Sequence, residues 1–182
     1  MSVTKGTIRI WDGTRFAEVD ILGYLVGIDI VHHKVHEGNF YTVSDYDSVV
    51  QTVAPKYWHI ITPNTAKRIH TLISVISNLA GNIGFFEAPT TSANGTALTA
   101  YNNDRNSGNT PTVLFYKDPA VTTDGTLLIS SRNGTNNNKT LLGGVSRTNS
   151  EFILKQNTKY FVKFTPDANN TEVIFNCEFY EV

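Results

Sequence analysis

The chain has 182 residues, a formal net charge of −1, and 40% hydrophobic, 11% aromatic and 17% charged residues. That length fits one domain able to bury about 70% of the surface its unfolded chain exposes, and an aromatic-rich chain of low net charge is not intrinsically disordered. The charge balance argues against a nucleic-acid binder, which carries a basic surplus, and the most apolar stretch, Leu72 to Phe86, is broken by Ser74, Ser77, Asn78, Gly81, Asn82 and Gly84 and reads as no membrane span.

Taken in chain order, residues 1–27 read as a hairpin-like N-terminal arm without the apolar core of a secretory signal, so synthesis in a host cytoplasm is expected. Trp11, Phe16, Leu22, Tyr24 and Leu25 make this arm unusually apolar. Either it joins the core or it docks on a partner. Residues 28–182 read as one β-domain. Period-two alternation predicts strands at Thr7–Trp11, Phe16–Leu22, Gly27–Val35, Lys56–Thr62, Lys67–Ser77, Ile83–Glu87, Thr112–Tyr116, Thr126–Ser131, Lys139–Val145 and Glu151–Leu154. The clearest pair comes last. Lys159–Thr165 and Glu172–Tyr180 alternate in character and are joined by Pro166-Asp167-Ala168-Asn169-Asn170, which has turn chemistry. No convincing amphipathic helix is found. The fold expected is all-β, an antiparallel β-sandwich or jelly roll with a short N-terminal arm. Ala88–Pro111 reads as a long Thr/Ser/Asn/Gly-rich loop.

Catalytic motifs are scarce. No nucleophile elbow, phosphate loop or dinucleotide fingerprint occurs, and the expectation is a protein that is not an enzyme and takes no cofactor. His32, His33 and His36 invite a metal reading. On a helix His32 and His36 would be neighbours, as in zinc sites. On a strand they share a face with Lys34 between them. Flanking Ile28, Ile30 and Val35 favour the strand, and no second ligand cluster follows, so no metal is assigned. The three histidines and Glu37 are instead candidate contact residues, together with the arm. Asp45 and Asp47 would share a face if extended, as a calcium-binding or glycosidase pair needs; the plainer expectation is turn chemistry that bends the chain. Cys177 alternates with Val173, Phe175 and Phe179 and belongs in the core. Trp58, Tyr101, Asn102, Asn103, Asp104 and Arg105 form the candidate ligand loop, where aromatics could stack on a sugar, although core or interface packing is the commoner use of Trp and Tyr and is the favoured expectation.

Residues 33–47, His-Lys-Val-His-Glu-Gly-Asn-Phe-Tyr-Thr-Val-Ser-Asp-Tyr-Asp, resemble a family of small virion structural proteins of tailed bacteriophages. So do Pro55-Lys56-Tyr57-Trp58, Thr62-Pro63-Asn64-Thr65, residues 96–106, Ile153-Leu154-Lys155-Gln156-Asn157-Thr158 and Glu178-Phe179-Tyr180-Glu181. The resemblance spans roughly residues 28–182 and carries no catalytic residues. It implies a capsid decoration, or cement, protein on the virion surface, binding the major capsid protein. A homotrimer would match a local threefold of a shell. The alternative is a tail or fibre-tip module that binds a host-surface glycan.

Overall fold

In the final strand, Thr171, Val173, Phe175, Cys177 and Phe179 are buried, while Glu172 is exposed and Ile174, Asn176 and Glu178 are half-buried. One face of such a strand must be covered by a second layer. The computed structural model describes residues 30–133 and 151–182, with the backbone of 10–11 and 16–17. The chain runs β1 (Ile10–Trp11), β2 (Phe16–Ala17), α1 (Ile30–His36), β3 (Phe40–Val50), β4 (Lys56–Ile61), β5 (Ile69–Ser77), β6 (Gly81–Glu87), β7 (Thr90–Ala93) and β8 (Thr96–Leu98). It continues through β9 (Tyr101–Asn102), β10 (Leu114–Lys117), β11 (Ala120–Thr123), β12 (Thr126–Asn133), β13 (Phe152–Leu154), β14 (Lys159–Pro166) and β15 (Thr171–Glu181).

These strands build an antiparallel β-sandwich. One sheet has the order β12-β6-β14-β4-β10-β8, and the other β13-β5-β15-β3-β9. Aromatic pairs join the layers. Trp58 of β4 stacks on Phe175 of β15 at 4.8 Å between ring centroids, Phe85 of β6 meets Phe152 of β13 at 5.1 Å, and Phe115 of β10 meets Phe179 of β15 at 5.1 Å. Such pairs add to the area they bury and fix one registry between the sheets. Cys177 is fully buried there, as alternation predicts, and burial pushes its thiol up to about 12. The expected hairpin of Lys159–Thr165 with Glu172–Tyr180 does not form: β14 and β15 follow one another but pair in different sheets. The turn between them therefore crosses the sandwich rather than closing a hairpin.

Three further expectations give way. Ile30–His36 is helical, where a strand over Gly27–Val35 was expected. Asp45 and Asp47 lie within an 11-residue strand, not at a bend. Ala88–Pro111 is not a plain loop, since β7, β8 and β9 fall within it. The strand expected at Lys139–Val145 lies outside the described residues.

An internal repeat explains those short strands. Phe85-Phe-Glu-Ala-Pro-Thr-Thr-Ser-Ala-Asn-Gly-Thr-Ala-Leu98 returns as Phe115-Tyr-Lys-Asp-Pro-Ala-Val-Thr-Thr-Asp-Gly-Thr-Leu-Leu128. Each copy runs strand, corner, strand, turn, strand. The corners are Ala88 and Asp118, with φ of 55° and 54°, and the turns are Gly95 and Gly125, with φ of 94° and 85°. The copies embrace reciprocally. The end of the first pairs with the start of the second (β8 with β10), the end of the second pairs with the start of the first (β12 with β6), and β7 pairs with β11. The approach is close enough that a Cβ on Gly95 would lie 2.1 Å from the Lys117 carbonyl oxygen, and one on Gly125 would lie 2.3 Å from that of Glu87. Only glycine fits at either turn.

Candidate functional site

The two groups of residues singled out in the sequence, the histidine segment and the Tyr101 loop, meet at Gly38. α1 stops there because Gly38 adopts φ 66° and closes the helix end: its amide donates to Val35 O, and the Asn39 amide to Lys34 O at 3.0 Å. That is the glycine-terminated hydrogen-bond pattern of a helix C-terminus. The Gly38 carbonyl then accepts from Asn102 Nδ2 at 2.8 Å and from Asn109 Nδ2 at 3.2 Å. A glycine just past a run ending in basic residues is the stop signal that marks this helix in the sequence. β-Branched Ile30, Val31 and Val35 hid it by favouring strand.

Around the helix end the side chains divide their work. Glu37 receives Lys34 Nζ at 2.6 Å and lies 3.2 Å from His33 Nδ1. His32 and His36 are exposed, with their Nε2 atoms 3.0 Å apart. The 101–109 segment is braced by its own polar groups. The Asn102 side-chain oxygen accepts from the Asp104 amide, and Asp104 Oδ1 accepts from the Asn106 amide. Asn103 Oδ1 accepts from Thr42 Oγ1 at 2.8 Å. Asn102 is buried and ties loop to helix, so it is a positioning residue. Tyr101 is 58% exposed, with the Arg105 guanidinium 5.4 Å from its ring centre.

Trp58 does not join Tyr101. It is fully buried, and its indole Nε1 donates to Asp45 Oδ2 at 2.9 Å. Trp58 thus takes the core role expected as the commoner use of a tryptophan, and of the candidate ligand loop Tyr101 is the exposed aromatic. Asp45 Oδ1 accepts from Lys117 Nζ at 2.8 Å, while Lys56 Nζ donates to Asp47 and to Asp118, each at 2.9 Å. Asp45 and Asp47 do share the face that an extended chain gives them. The buried Asp45 carboxylate and the half-buried Asp47 carboxylate survive in the strand because lysines from β4 and β10 and the indole compensate them. Burial pushes the Asp47 carboxyl up, but the Val49 amide and Lys56 outweigh it and hold it below the ordinary value. The Val49 contact is the one element of turn chemistry that Asp47 retains.

Glu181, part of a motif of the resemblance, has a structural role that its local pattern does not mark. It is nearly buried and accepts from the Thr112 and Val113 amides and from Lys67, locking the segment before β10 to the last strand. The side chains of Trp11, Phe16, Leu22, Tyr24 and Leu25 lie outside the described residues.

A second surface was not foreseen. Leu127 and Leu128 on β12 and Ile153 on β13 are 51%, 40% and 55% exposed. Among the described residues, β12 and β13 end their sheets on the same side of the sandwich, since Phe85 of β6, the neighbour of β12, packs on Phe152 of β13. The chain matches no protein-family model, no curated protein sequence and no solved structure.

Proposed function

We propose that this protein is a virion structural component, a capsid decoration protein that binds and reinforces the major capsid shell of a tailed phage as a homotrimer. The observation that carries the reading is the exposed apolar edge formed by Leu127, Leu128 and Ile153. An edge strand offers unpaired backbone groups, and apolar side chains beside it offer contact area. Together they are what a partner surface covers. The interior supports the same reading. Asp45, Asp47, Lys56 and Trp58, the residues that catalysis or sugar stacking would use, are spent on holding the two layers together. The resemblance of several sequence motifs to those of small phage virion proteins is consistent with this reading. Multiple copies docking on neighbouring shell subunits gain avidity without any active site.

Mass spectrometry of purified virions tests the reading. The chain should appear in a fixed ratio to the capsid protein, at a copy number in the hundreds (roughly, for a symmetric shell), and its absence rejects the proposal. Deleting residues 1–27 should weaken binding to emptied shells while the body stays folded; unchanged affinity removes the arm from the interface. The glycan-binding alternative rests on exposed Tyr101. A glycan-array signal abolished by Tyr101→Ala, with few copies per particle, would replace the decoration reading.

A further inference from the structure

Helix instead of strand changes what the histidines can do. On α1, His32 and His36 are one turn apart on a single face. Their rings lie 4.5 Å apart between centroids, with planes at 76°, and their Nε2 atoms face one another at 3.0 Å. Both are open to solvent. Lys34, which on a strand would set a cation between them, is turned roughly 200° from His32 around the helix axis and pairs with Glu37 at 2.6 Å. His33 is directed to Glu37 as well.

Two imidazole nitrogens facing at this distance have two ways to coexist. One Nε2–H donates to the other, or both lone pairs point at a shared cation. With nitrogen–metal distances of about 2.05 Å, a 3.0 Å separation subtends roughly 95° at the metal. That is close to the right angle of octahedral or tetragonal coordination and narrower than the tetrahedral angle. We propose that His32 and His36 form a two-imidazole chelate for a divalent late transition-metal ion of Ni(II) or Cu(II) preference, with water in the remaining positions. Among the described residues no three ligand side chains gather, so this is a surface chelate and not an enclosed centre. α1 has seven residues and is marginal as an isolated helix. A metal bridging one turn would fix that turn, and with it the Gly38 junction to which the 102–109 segment is tied. The inference does not depend on the virion reading.

Calorimetric titration of the full chain, carrying no polyhistidine tag, with NiCl2 tests it, with ZnCl2 as the second probe. One Ni(II) ion per chain is expected, bound more tightly than Zn(II). His32→Ala and His36→Ala should each weaken Ni(II) binding at least tenfold, and His33→Ala should leave it unchanged. Backbone amide resonances of residues 30–38 should shift at the same stoichiometry. Three results would overturn the proposal: no saturable binding at millimolar NiCl2, equal binding by the His32→Ala/His36→Ala double variant, or an equal loss on His33→Ala. The first leaves the pair as a shared-proton hydrogen bond and nothing more. All three substituted positions are on a solvent-facing helix, and a circular dichroism spectrum like that of the parent shows that the variants remain folded.

Discussion

Phe85–Leu98 and Phe115–Leu128 share one pattern, with Phe, Pro, Gly, Thr and Leu at matching positions, and finish differently. In the first copy Leu98 opposes Phe115 across the β8–β10 ladder and packs on the core. The equivalent partner of Phe85 would be Leu128, but a one-residue register shift between Leu127 and Ile129 puts Ile129 opposite Phe85 instead. Ile129 then packs on the core and Leu128 is turned out. A bulge adds a residue to one strand and re-aims its side chains. The start of the second copy differs too. Lys117 and Asp118 feed the charged cluster around Asp45 and Lys56, where the first copy has Glu87, which takes Lys155, and Ala88. The lesson is that one template ends with its leucine on the core in the first copy and, after a single bulge, with Leu128 turned out at the sheet edge in the second, while two substitutions at the start route the second copy alone into the Asp45 cluster.

The sharpest way to break this comparison is at the shared turns. Gly95→Ala and Gly125→Ala each place a Cβ against backbone that cannot yield, at positive φ. Each should cost about 3 kcal/mol or more, read from the midpoint of chemical denaturation. Gly108→Ala, with open space around it, is the neutral control. A large loss at only one of the two turns would end the reciprocal picture. Next comes the charge asymmetry. Asp45→Ala strands the Trp58 indole N–H and the Lys117 ammonium, and should cost about 2 to 3 kcal/mol. Glu87→Gln removes the charge that pairs with the exposed Lys155 and leaves one side-chain oxygen to accept from the Tyr160 hydroxyl, which donates to Glu87 at 3.2 Å, and should cost about 1 kcal/mol or less. Equal losses would show that the cluster contributes no more than a surface pair.

The bulge gives a smaller contrast. Leu98→Ala should lose about 2 kcal/mol through its core contacts. Leu128→Ala should stay within about 0.5 kcal/mol yet weaken binding to shells if the edge is the contact surface. A reversed order in stability would place Leu128 inside.

The smallest expected effect is one of pH. His59, on the outer face of the larger sheet, is fully buried and packs against Phe161. Its Nδ1 lies 3.4 Å from the Asn94 carbonyl, at the turn of the first copy, and its Nε2 has no partner among the described residues. Burial pushes this imidazole below its ordinary value, against the upward pull of Asn94 O, with Lys159 adding to the lowering. The unfolded chain therefore binds the proton first, near pH 6.5. The stability contributed by neutral His59 is complete above about pH 6.5 and declines as pH falls through the folded value. Thermal midpoints should show that decline in the parent and a flatter acid limb in His59→Leu. An identical limb in both would assign the acid sensitivity to other groups.

Much of the body is legible in the residues. Alternation in Glu172–Tyr180 and Lys159–Thr165 marks buried strands because side chains on a pleated backbone point to opposite faces, whatever lies beyond. Cys177 is placed in the core by the same reasoning. The segment at Phe40–Val50 is not legible, since Asp45 and Asp47 stand where apolar residues would mark a buried face. Their compensation comes from Lys56 and the Trp58 indole on the next strand and from Lys117, remote in sequence. The helix at Ile30–His36 is obscured by β-branched residues that local propensity assigns to strand, although Gly38 marks its end. The repeat is visible once the two stretches are aligned, but not its reciprocal pairing, which needs both copies in place.

The residues by themselves determined the class of fold, since a period of two with turn chemistry between apolar runs leaves layered sheets as the way to bury one face of each strand. Tertiary structure alone decided that the Trp58 indole pairs with Asp45, that Asp45 and Asp47 are neutralised from other strands, that the histidines face one another on a helix, and that Leu127 and Leu128 lie outside. Each of those depends on which distant segments meet, and that is set by the packing of the whole chain rather than by any local pattern.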